Sequence, residues 1–275
     1  MNVTDECLKS SLEIYRQAKL EYPPFATVLM FSGGDDSLTA LHIARALGIQ
    51  VDYVMHVNTR TGIAATTEYV RALVADLEIP YIEMDAGEKY ERYVLRKGFF
   101  GKGIMAHAYA YHILKKDQFE RGLSSIRNRK PGRKILLLNG GRRQEGKNRM
   151  VTMVNPIKAD GSNIWVNIIN EWTKIECMDF LHDCRAQRNP VTELLHRSGE
   201  CMCGTMQSLE ARKEAAFWFP EWGTWLDTLE KRVKDQGFWW GWGEGIPHEF
   251  SMMKKGQMFL PSFQPMCIGC TVERE

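Results

Sequence analysis

The chain contains 275 residues, carries a formal net charge of +2 and has seven cysteines. This length suits one large domain or one domain with an appendage, and the balanced charge excludes a molecule that attracts polyanions over its whole surface. No apolar run approaches membrane-spanning length and residues 1–6 lack the features of a signal peptide, which predicts a cytoplasmic protein without a membrane partner. In a reducing compartment we expect the cysteines to be metal ligands or reactive thiols rather than disulfides.

Apolar residues recur along the first half of the chain with the periods of helices and strands. The spacing predicts helices over residues 7–20, 36–47, 66–77, 88–96 and 104–119, and strands over 27–31, 51–57, 80–84 and 135–138. Strands that alternate with helices in this way favour an α/β fold with a doubly wound, mostly parallel sheet.

The composition changes near residue 189. Cysteines, glycines and six tryptophans are concentrated in the last third of the chain. We predict an α/β domain over residues 1–188 and a helical and irregular region over 189–275, packed on that domain because no polar linker separates the two. Trp218, Trp222 and Trp225 have helical spacing and are expected in a core, whereas the aromatic segment 238–242 is a candidate lid or partner surface.

One segment carries most of the functional information. The apolar run 27–31 is followed by Ser32, Gly33, Gly34, Asp35, Asp36 and Ser37. A glycine turn between a strand and a helix presents backbone N–H groups and the positive end of a helix dipole to one point, which favours phosphate binding. Either aspartate could cap the helix or orient a metal-bound water. The pattern is neither a Walker A loop nor a dinucleotide fingerprint. The alternative is an ordinary strand-to-helix turn. The segment resembles the PP-loop, S-G-G-x-D-S, of ATP pyrophosphatases.

A second glycine pair, Gly140-Gly141, follows the predicted strand 135–138. In a parallel sheet this turn lies close to the first one, at the edge where such sheets bind ligands. Arg142 and Arg149 could clamp phosphate or sulfate oxygens, and Glu145 could hold one of the guanidinium groups. The alternative is a solvated basic turn.

Together these motifs resemble the phosphoadenosine phosphosulfate (PAPS) reductase branch of the PP-loop family. The first loop matches through residues 32–37, and the third family motif, G-x-R-x-x-E-S-x-x-R, matches through Arg142, Glu145 and Arg149, with Gly146 in place of serine. Thr61-Gly62, with Thr67-Glu68 opening a helix, matches the second motif more loosely. The resemblance implies that ATP, with Mg²⁺, is bound by Ser32, Gly33, Gly34, Asp35, Asp36, Ser37, Thr61, Gly62, Gly141, Arg142 and Glu145. It implies catalytic roles for Asp36, Ser37, Arg142 and Arg149.

Two close cysteine pairs stand near the end of the chain, Cys201 with Cys203 and Cys267 with Cys270. Four thiolates beside glycines suit a [4Fe–4S] cluster or structural zinc. The resemblance favours the cluster, because iron–sulfur members of this family place a cysteine pair after an N-P segment and a C-x-x-C later. Cys184 is a possible substitute for one ligand. Unligated core cysteines, or a redox dithiol at Cys267 and Cys270, are the alternatives.

A local basic edge is a weak indication of a nucleic-acid partner. It consists of Arg127, Arg129, Lys130, Arg133 and Lys134 with Arg142, Arg143 and Lys147, and we expect it near the ATP site. A solvated face explains these charges equally well.

The resemblance implies an ATP pyrophosphatase that adenylates a substrate for sulfur transfer, similar to the ATP pyrophosphatases of DNA phosphorothioation systems. The candidate partners are a cysteine desulfurase or another sulfur donor, DNA, and a second copy of the chain. Sulfonucleotide reductases share the loops but carry a C-terminal E-C-G-[IL]-H motif that this sequence lacks. A reductase and a nucleotide-binding regulatory subunit are therefore the two alternative functions.

Overall fold

The computed structural model describes residues 3–146, 150 and 153–250. In this part of the chain a six-stranded sheet has the order β3-β2-β1-β4-β6-β5. Its strands are β1 (Ala26–Met30), β2 (Tyr53–Asn58), β3 (Tyr81–Asp85), β4 (Ile135–Asn139), β5 (Ile157–Asp160) and β6 (Asn163–Asn167). Neighbouring strands pair in parallel except β5, which pairs antiparallel with β6. The predicted α/β fold with a mostly parallel sheet is confirmed.

Helices cover both faces of this sheet. They are α1 (Val3–Glu21), α2 (Asp35–Ala46), α3 (Ala64–Ala75), α4 (Lys89–Lys97), α5 (Ile104–Tyr111), α6 (Asp117–Ile126), α7 (Lys174–Asp183), α8 (Pro190–Leu195), α9 (Leu209–Trp218) and α10 (Pro220–Asp235). A π-helical turn, His112–Lys116, joins α5 to α6, and a short 3-10 turn covers Arg143–Glu145. None of the described helices is long and apolar enough to cross a membrane.

Apart from Thr27 in β1 and Asn139 at the end of β4, the central strands β1 and β4 are apolar, and helices cover both of their faces. Leu136 and Leu138 face a core formed with α1, α2, α3 and α7, whereas Ile135 and Leu137 face a core formed with α6. Continuous apolar runs are typical of strands covered on both sides.

One helix and two strands differ from the prediction. The helix expected to end at residue 119 continues to Ile126, because Leu123 and Ile126 extend its buried face. Strands β5 and β6 were not predicted, since β5 has only four residues and exposes three of them, and the three apolar residues of β6 are flanked by Asn163 and Asn167.

The aromatic C-terminal region forms a third core with α4 and α5. The expectation that residues 238–242 form a lid or partner surface is wrong for two of their tryptophans. Trp240 and Trp242 are 2% and 0% exposed. Their indole N–H groups donate to the carbonyls of Phe99 and Met202, so both polar atoms are satisfied inside the core. Trp239, by contrast, is half exposed.

The segment 127–134 lies far from its expected place beside the nucleotide loops. It precedes β4, and the N–H of Phe25, just before β1, donates to the carbonyl of Lys134. The segment is therefore at the amino edge of the parallel sheet, whereas the loop 32–37 follows the carboxyl end of β1. Its arginines serve the fold: buried Arg127 donates to Asn163, and Arg133 stacks on Phe25.

Candidate nucleotide site

The glycine turn after β1 leaves the beginning of α2 open. Gly34 is the N-cap residue, and no side chain makes a capping hydrogen bond there, so neither aspartate caps the helix. The first N–H groups of an α-helix have no partner within the helix. Gly33 has φ of +76°, and a Cβ there would lie 3.0 Å from Thr66 and from Val70. The turn thus requires glycine, and it leaves backbone donors available to an anion.

Two hydroxyl groups complete this turn. The Oγ atoms of Ser32 and Ser37 lie 3.1 Å apart, and the Ser37 hydroxyl donates to the carbonyl of Gly34 at 2.8 Å. The N–H of Ser32 donates to the Ser37 Oγ at 3.3 Å. The two serines therefore close the turn on itself and place two hydroxyl groups beside the helix N-terminus.

The second glycine turn packs directly against the first turn of α2. A Cβ on Gly140 would lie 2.5 Å from the carbonyl carbon and oxygen of Asp36 and 2.7 Å from the nitrogen of Ser37. The two loops that the sequence singled out are therefore in contact, at the carboxyl edge of β1 and β4.

A cavity of about 440 Å³ opens at this edge. Among the predicted ATP-binding residues, its wall includes Ser32, Gly34, Asp35, Asp36, Ser37, Gly141 and Glu145. An apolar portion of the wall includes Met30, Met55, Val57, Phe119 and Trp165. The rings of Phe119 and Trp165 stack with centroids 5.2 Å apart. The cavity thus combines a polar side with an apolar side.

Arg142 lies behind Asp36 rather than on the cavity wall. Its side chain is 8% exposed, and its Nε is 3.0 Å from Asp36 Oδ1 without the alignment of a hydrogen bond. Burial alone would lower the pKa of Arg142, but the Asp36 carboxylate outweighs burial and raises it. The guanidinium is therefore placed to hold Asp36. Arg149, its predicted partner in a phosphate clamp, lies outside the described residues.

Two cations that sequence reasoning missed surround Asp35. Arg188 donates to both oxygens of its carboxylate at 3.0 and 3.1 Å, and Lys174 Nζ donates to Oδ2 at 2.8 Å. Burial raises the pKa of Asp35, but the two cations outweigh it and lower the pKa below its usual value. Lys174 also lies 3.6 Å from Asp36 Oδ1 and is part of the cavity wall. The capping box of Thr173 and Glu176 marks the start of α7 and could have indicated that Lys174 opens a helix.

We expect Arg188→Gln to reduce the free energy of unfolding by about 1–3 kcal/mol at pH 7, because a buried carboxylate loses two charge-assisted hydrogen bonds. Since the pKa of Asp35 is lowered in the folded state, this stabilisation is fully present at neutral pH, begins to decrease near pH ~4 and is lost as the pH falls through the lowered pKa. Urea unfolding at pH 7 and pH 3.5 measures both effects. Exposed Arg185→Gln is the matched control, and an equal loss in the two variants would contradict the role of Arg188.

Thr61 and Gly62 lie away from the cavity wall, against the cysteine loop. The N–H of Met202 donates to Thr61 Oγ1 at 3.1 Å, and the Thr59 hydroxyl donates to the carbonyl of Glu200 at 2.8 Å. A Cβ on Gly62 would lie 2.3 Å from that same carbonyl oxygen. The segment resembling the second family motif therefore fixes the chain around Cys201.

Cys201 and Cys203 form a pair of neighbouring thiols, and Cys203 Sγ lies 3.3 Å from Thr205 Oγ1. The Cys201 thiol lowers the pKa of Cys203 against the opposing effect of burial, and Thr205 and His107 lower it further, whereas Cys203 and burial raise the pKa of Cys201. Exposed Cys184 ends α7 and has no contact with either thiol among the described residues. Cys267 and Cys270 lie outside the described residues, and within the described ones no three potential ligands are grouped to hold a metal.

One ion pair on the wall of the nucleotide cavity lies directly beside the thiol pair. Lys115 and Glu200 both line the cavity, and Lys115 Nζ lies 2.5 Å from Glu200 Oε2. Burial lowers the pKa of Lys115, but Glu200 and Cys201 outweigh it and raise the pKa. No local motif in the sequence indicated this pair, which joins the π-helical turn to the cysteine loop.

The family model of the phosphoadenosine phosphosulfate reductase domain matches residues 26–206, which is more than half of the chain. The chain belongs to this family. It is thereby a member of the adenine nucleotide alpha hydrolase-like superfamily of enzymes. The matched range of the PAPS reductase domain begins with β1, includes both glycine turns and the Cys201–Cys203 pair, and ends before the aromatic helices α9 and α10.

The chain is similar to several solved structures, of which the first named here supports the same fold. PAPS reductase from Candida auris, solved as a phosphate complex, has a TM-score of 0.50 and 15% identity over 70% of this chain and 90% of that one. FMN adenylyltransferase from Candida glabrata, in complex with ATP, has a TM-score of 0.49 and 12% identity over 70% of this chain and 58% of that one. The U34-tRNA thiolase NcsA from Methanococcus maripaludis, with its [4Fe–4S] cluster, has a TM-score of 0.45 and 12% identity over 92% of this chain and 88% of that one. No curated protein matches the sequence.

Proposed function

We propose that this member of the PAPS reductase domain family is an ATP pyrophosphatase that adenylates a second substrate for sulfur transfer. One observation carries the proposal: the open N-terminus of α2 and the hydroxyl groups of Ser32 and Ser37 face a cavity that also contains Lys174. Backbone donors, hydroxyl groups and a flexible ammonium together suit a polyphosphate. The apolar wall beside Phe119 and Trp165 suits the adenine ring.

In the proposed reaction an oxygen of the second substrate attacks the α-phosphorus of ATP. The bond from that phosphorus to the bridging oxygen breaks, and pyrophosphate leaves with the bond's electron pair. Donors at the turn 32–37 bind the phosphates, and Lys174 neutralises charge on the leaving group. Arg142 acts by holding Asp36 in place.

Magnesium fits the residues at this site. Asp36 lines the cavity, and Mg²⁺ is commonly held by one or two carboxylates together with substrate phosphates. Asp36 is the residue that would hold it: among the described residues its ion pairs with Arg142 and Lys174 involve Oδ1, whereas both oxygens of Asp35 are bound by Arg188 and Lys174. The ion would supply charge neutralisation at the phosphates.

The products of labelled ATP test the proposal. With [α-³²P]ATP and Mg²⁺ we expect label in AMP or an adenylated product, pyrophosphate in equal amount, and no ADP. Ser37→Ala should reduce this turnover at least about 100-fold, because it removes a hydroxyl from the phosphate turn. Formation of ADP and phosphate would contradict α–β cleavage. Release of sulfite from PAPS would instead support a reductase, which the thiol pair beside the cavity makes the second candidate. Binding of ATP without turnover of either nucleotide would support a regulatory subunit.

For the thiols we propose ligation of a [4Fe–4S] cluster, with zinc as the alternative. Cys201 and Cys203 supply two adjacent sulfur ligands, and Cys267 and Cys270 are the proposed others. The cluster would supply a site that holds or relays sulfur. We expect Cys203→Ser to lower the bound iron, or zinc, at least about tenfold, whereas Cys184→Ser leaves it unchanged. Metal analysis of anaerobically purified protein measures this, and unchanged metal in Cys203→Ser would contradict ligation.

We also propose DNA as the adenylated substrate and a cysteine desulfurase as the sulfur donor. Both proposals rest on the resemblance to the ATP pyrophosphatases of DNA phosphorothioation systems. The basic segment 127–134 gives DNA no support at this site because it lies at the opposite edge of the sheet. A DNA affinity that falls steeply with salt would support DNA, and no binding at low salt would exclude it.

A further inference from the structure

A second cleft, of about 880 Å³, lies on the far side of the loop that holds the cysteines. One wall is formed by residues 58–71 and the beginning of α4, and the other by the turn between α9 and α10. None of its lining residues lines the nucleotide cavity. The family model ends at residue 206, so the wall from α9 and α10 is outside the part of the chain that defines the family.

The charged groups of this cleft that have no ion-pair partner among the described residues are carboxylates. Its two arginines, Arg60 and Arg71, are each bound by a carboxylate, Asp85 and Glu83 respectively. Glu68 and Glu221 also line the cleft, and both are exposed.

In the described part of the chain neither of these glutamates has an ion pair or a hydrogen bond from another side chain. Two free carboxylates beside two neutralised arginines attract cations and repel phosphates.

The same cleft exposes aromatic rings. Trp218 is 47% exposed at its rim, and Trp225 is partly buried with its N–H donated to Glu91. Tyr90 packs beneath, with its ring centroid 6.3 Å from that of Trp225. Indole faces beside carboxylates are the surface that binds ammonium and guanidinium groups.

We propose that this cleft binds a basic segment of a partner protein, with an arginine or lysine against Trp218 and the carboxylates of Glu68 and Glu221. The segment docks next to the thiols, because Trp222 in the floor of the cleft donates to the carbonyl of Thr61 at 3.0 Å. The hydroxyl of that same threonine accepts the N–H of Met202. This proposal does not depend on ATP cleavage.

The test uses a fluorescein-labelled hexa-arginine peptide and fluorescence anisotropy with the full chain at low salt. Glu68→Gln combined with Glu221→Gln should weaken binding about tenfold or more, and Trp218→Ala about fivefold or more. The matched control combines Glu6→Gln with Glu13→Gln on α1, which makes the same change in net charge at exposed positions and should alter binding less than about twofold. A hexaglutamate peptide should not bind.

Equal weakening in the two double variants would overturn the proposal, since only net charge would then matter. The proposal would also be overturned if the protein bound labelled oligo-dT and Trp218→Ala abolished that binding while leaving hexa-arginine binding unchanged. The cleft would then be assigned to single-stranded nucleic acid. Circular dichroism and thermal melting confirm that each variant is folded. ATP binding is measured in parallel, so a failure of the nucleotide proposal is seen separately from a failure of the cleft.

Discussion

Gly140→Ala is expected to reduce ATP turnover about 100-fold or more and to lower the free energy of unfolding by about 1–3 kcal/mol. The added methyl group would lie 2.5 Å from the carbonyl of Asp36, and the atoms it meets are backbone atoms of α2. Backbone cannot rotate away as a flexible side chain can. The first turn of α2 must therefore move, and with it the donors that we assign to the phosphates.

Gly146→Ala is the control for this variant. It makes the same chemical change in the same loop, at a glycine with extended backbone and with no heavy atom of the described residues within 4 Å of the added Cβ. We expect it to retain both turnover and stability. Turnover in Gly140→Ala close to that of the unmodified protein would show that the contact between the two loops does not position the nucleotide.

The second large effect is expected from Lys174→Met, which keeps the length of the side chain and removes its charge. ATP turnover should fall about 100- to 1,000-fold, because the leaving pyrophosphate loses a cation. ATP binding should weaken more than adenosine binding. Stability should change little, since the Lys174 side chain is about half exposed and Arg188 still pairs with Asp35.

Steady-state kinetics with calorimetric titrations of ATP and adenosine measure these effects. Lys158→Met, at an exposed position of β5, is the control. Equal losses of affinity for ATP and adenosine would show that Lys174 does not act on the phosphates.

The sequence was most informative where the chemistry is local. Strand, glycine turn and helix follow one another within a few residues at 26–46, so their order was sufficient to predict the glycine turn and the helix that begins after it. Lys174 and Arg188 were missed because they reach Asp35 from 139 and 153 residues away in the chain. Lys174 reaches Asp35 because α7 packs against α2, and Arg188 reaches it from the segment between α7 and α8.

The direction of the strands explains why the basic segment 127–134 was expected at the wrong edge of the sheet. The charge of residues 127–134 is evident in the sequence, but charge alone does not say at which edge it lies. In a parallel sheet the residues before a strand and those after it are at opposite edges, which separates this segment from the nucleotide loops. The motif that contains Thr61 could likewise be recognised in the sequence, whereas the hydrogen bond between Thr61 and Met202 could not be predicted from it.

The π-helical turn between α5 and α6 has a consequence for insertions and deletions. Such a turn contains one residue more than an α-helical turn needs, and one residue corresponds to about 100° of rotation. Deleting a residue within His112–Lys116 would let one regular helix run from Ile104 to Ile126. The half of that helix before the deletion would then be rotated by more than a quarter of a circle, and its buried Ala110 would leave the aromatic core. The number of residues in this helical segment therefore cannot change by even one without loss of core packing, even though most of its surface faces solvent.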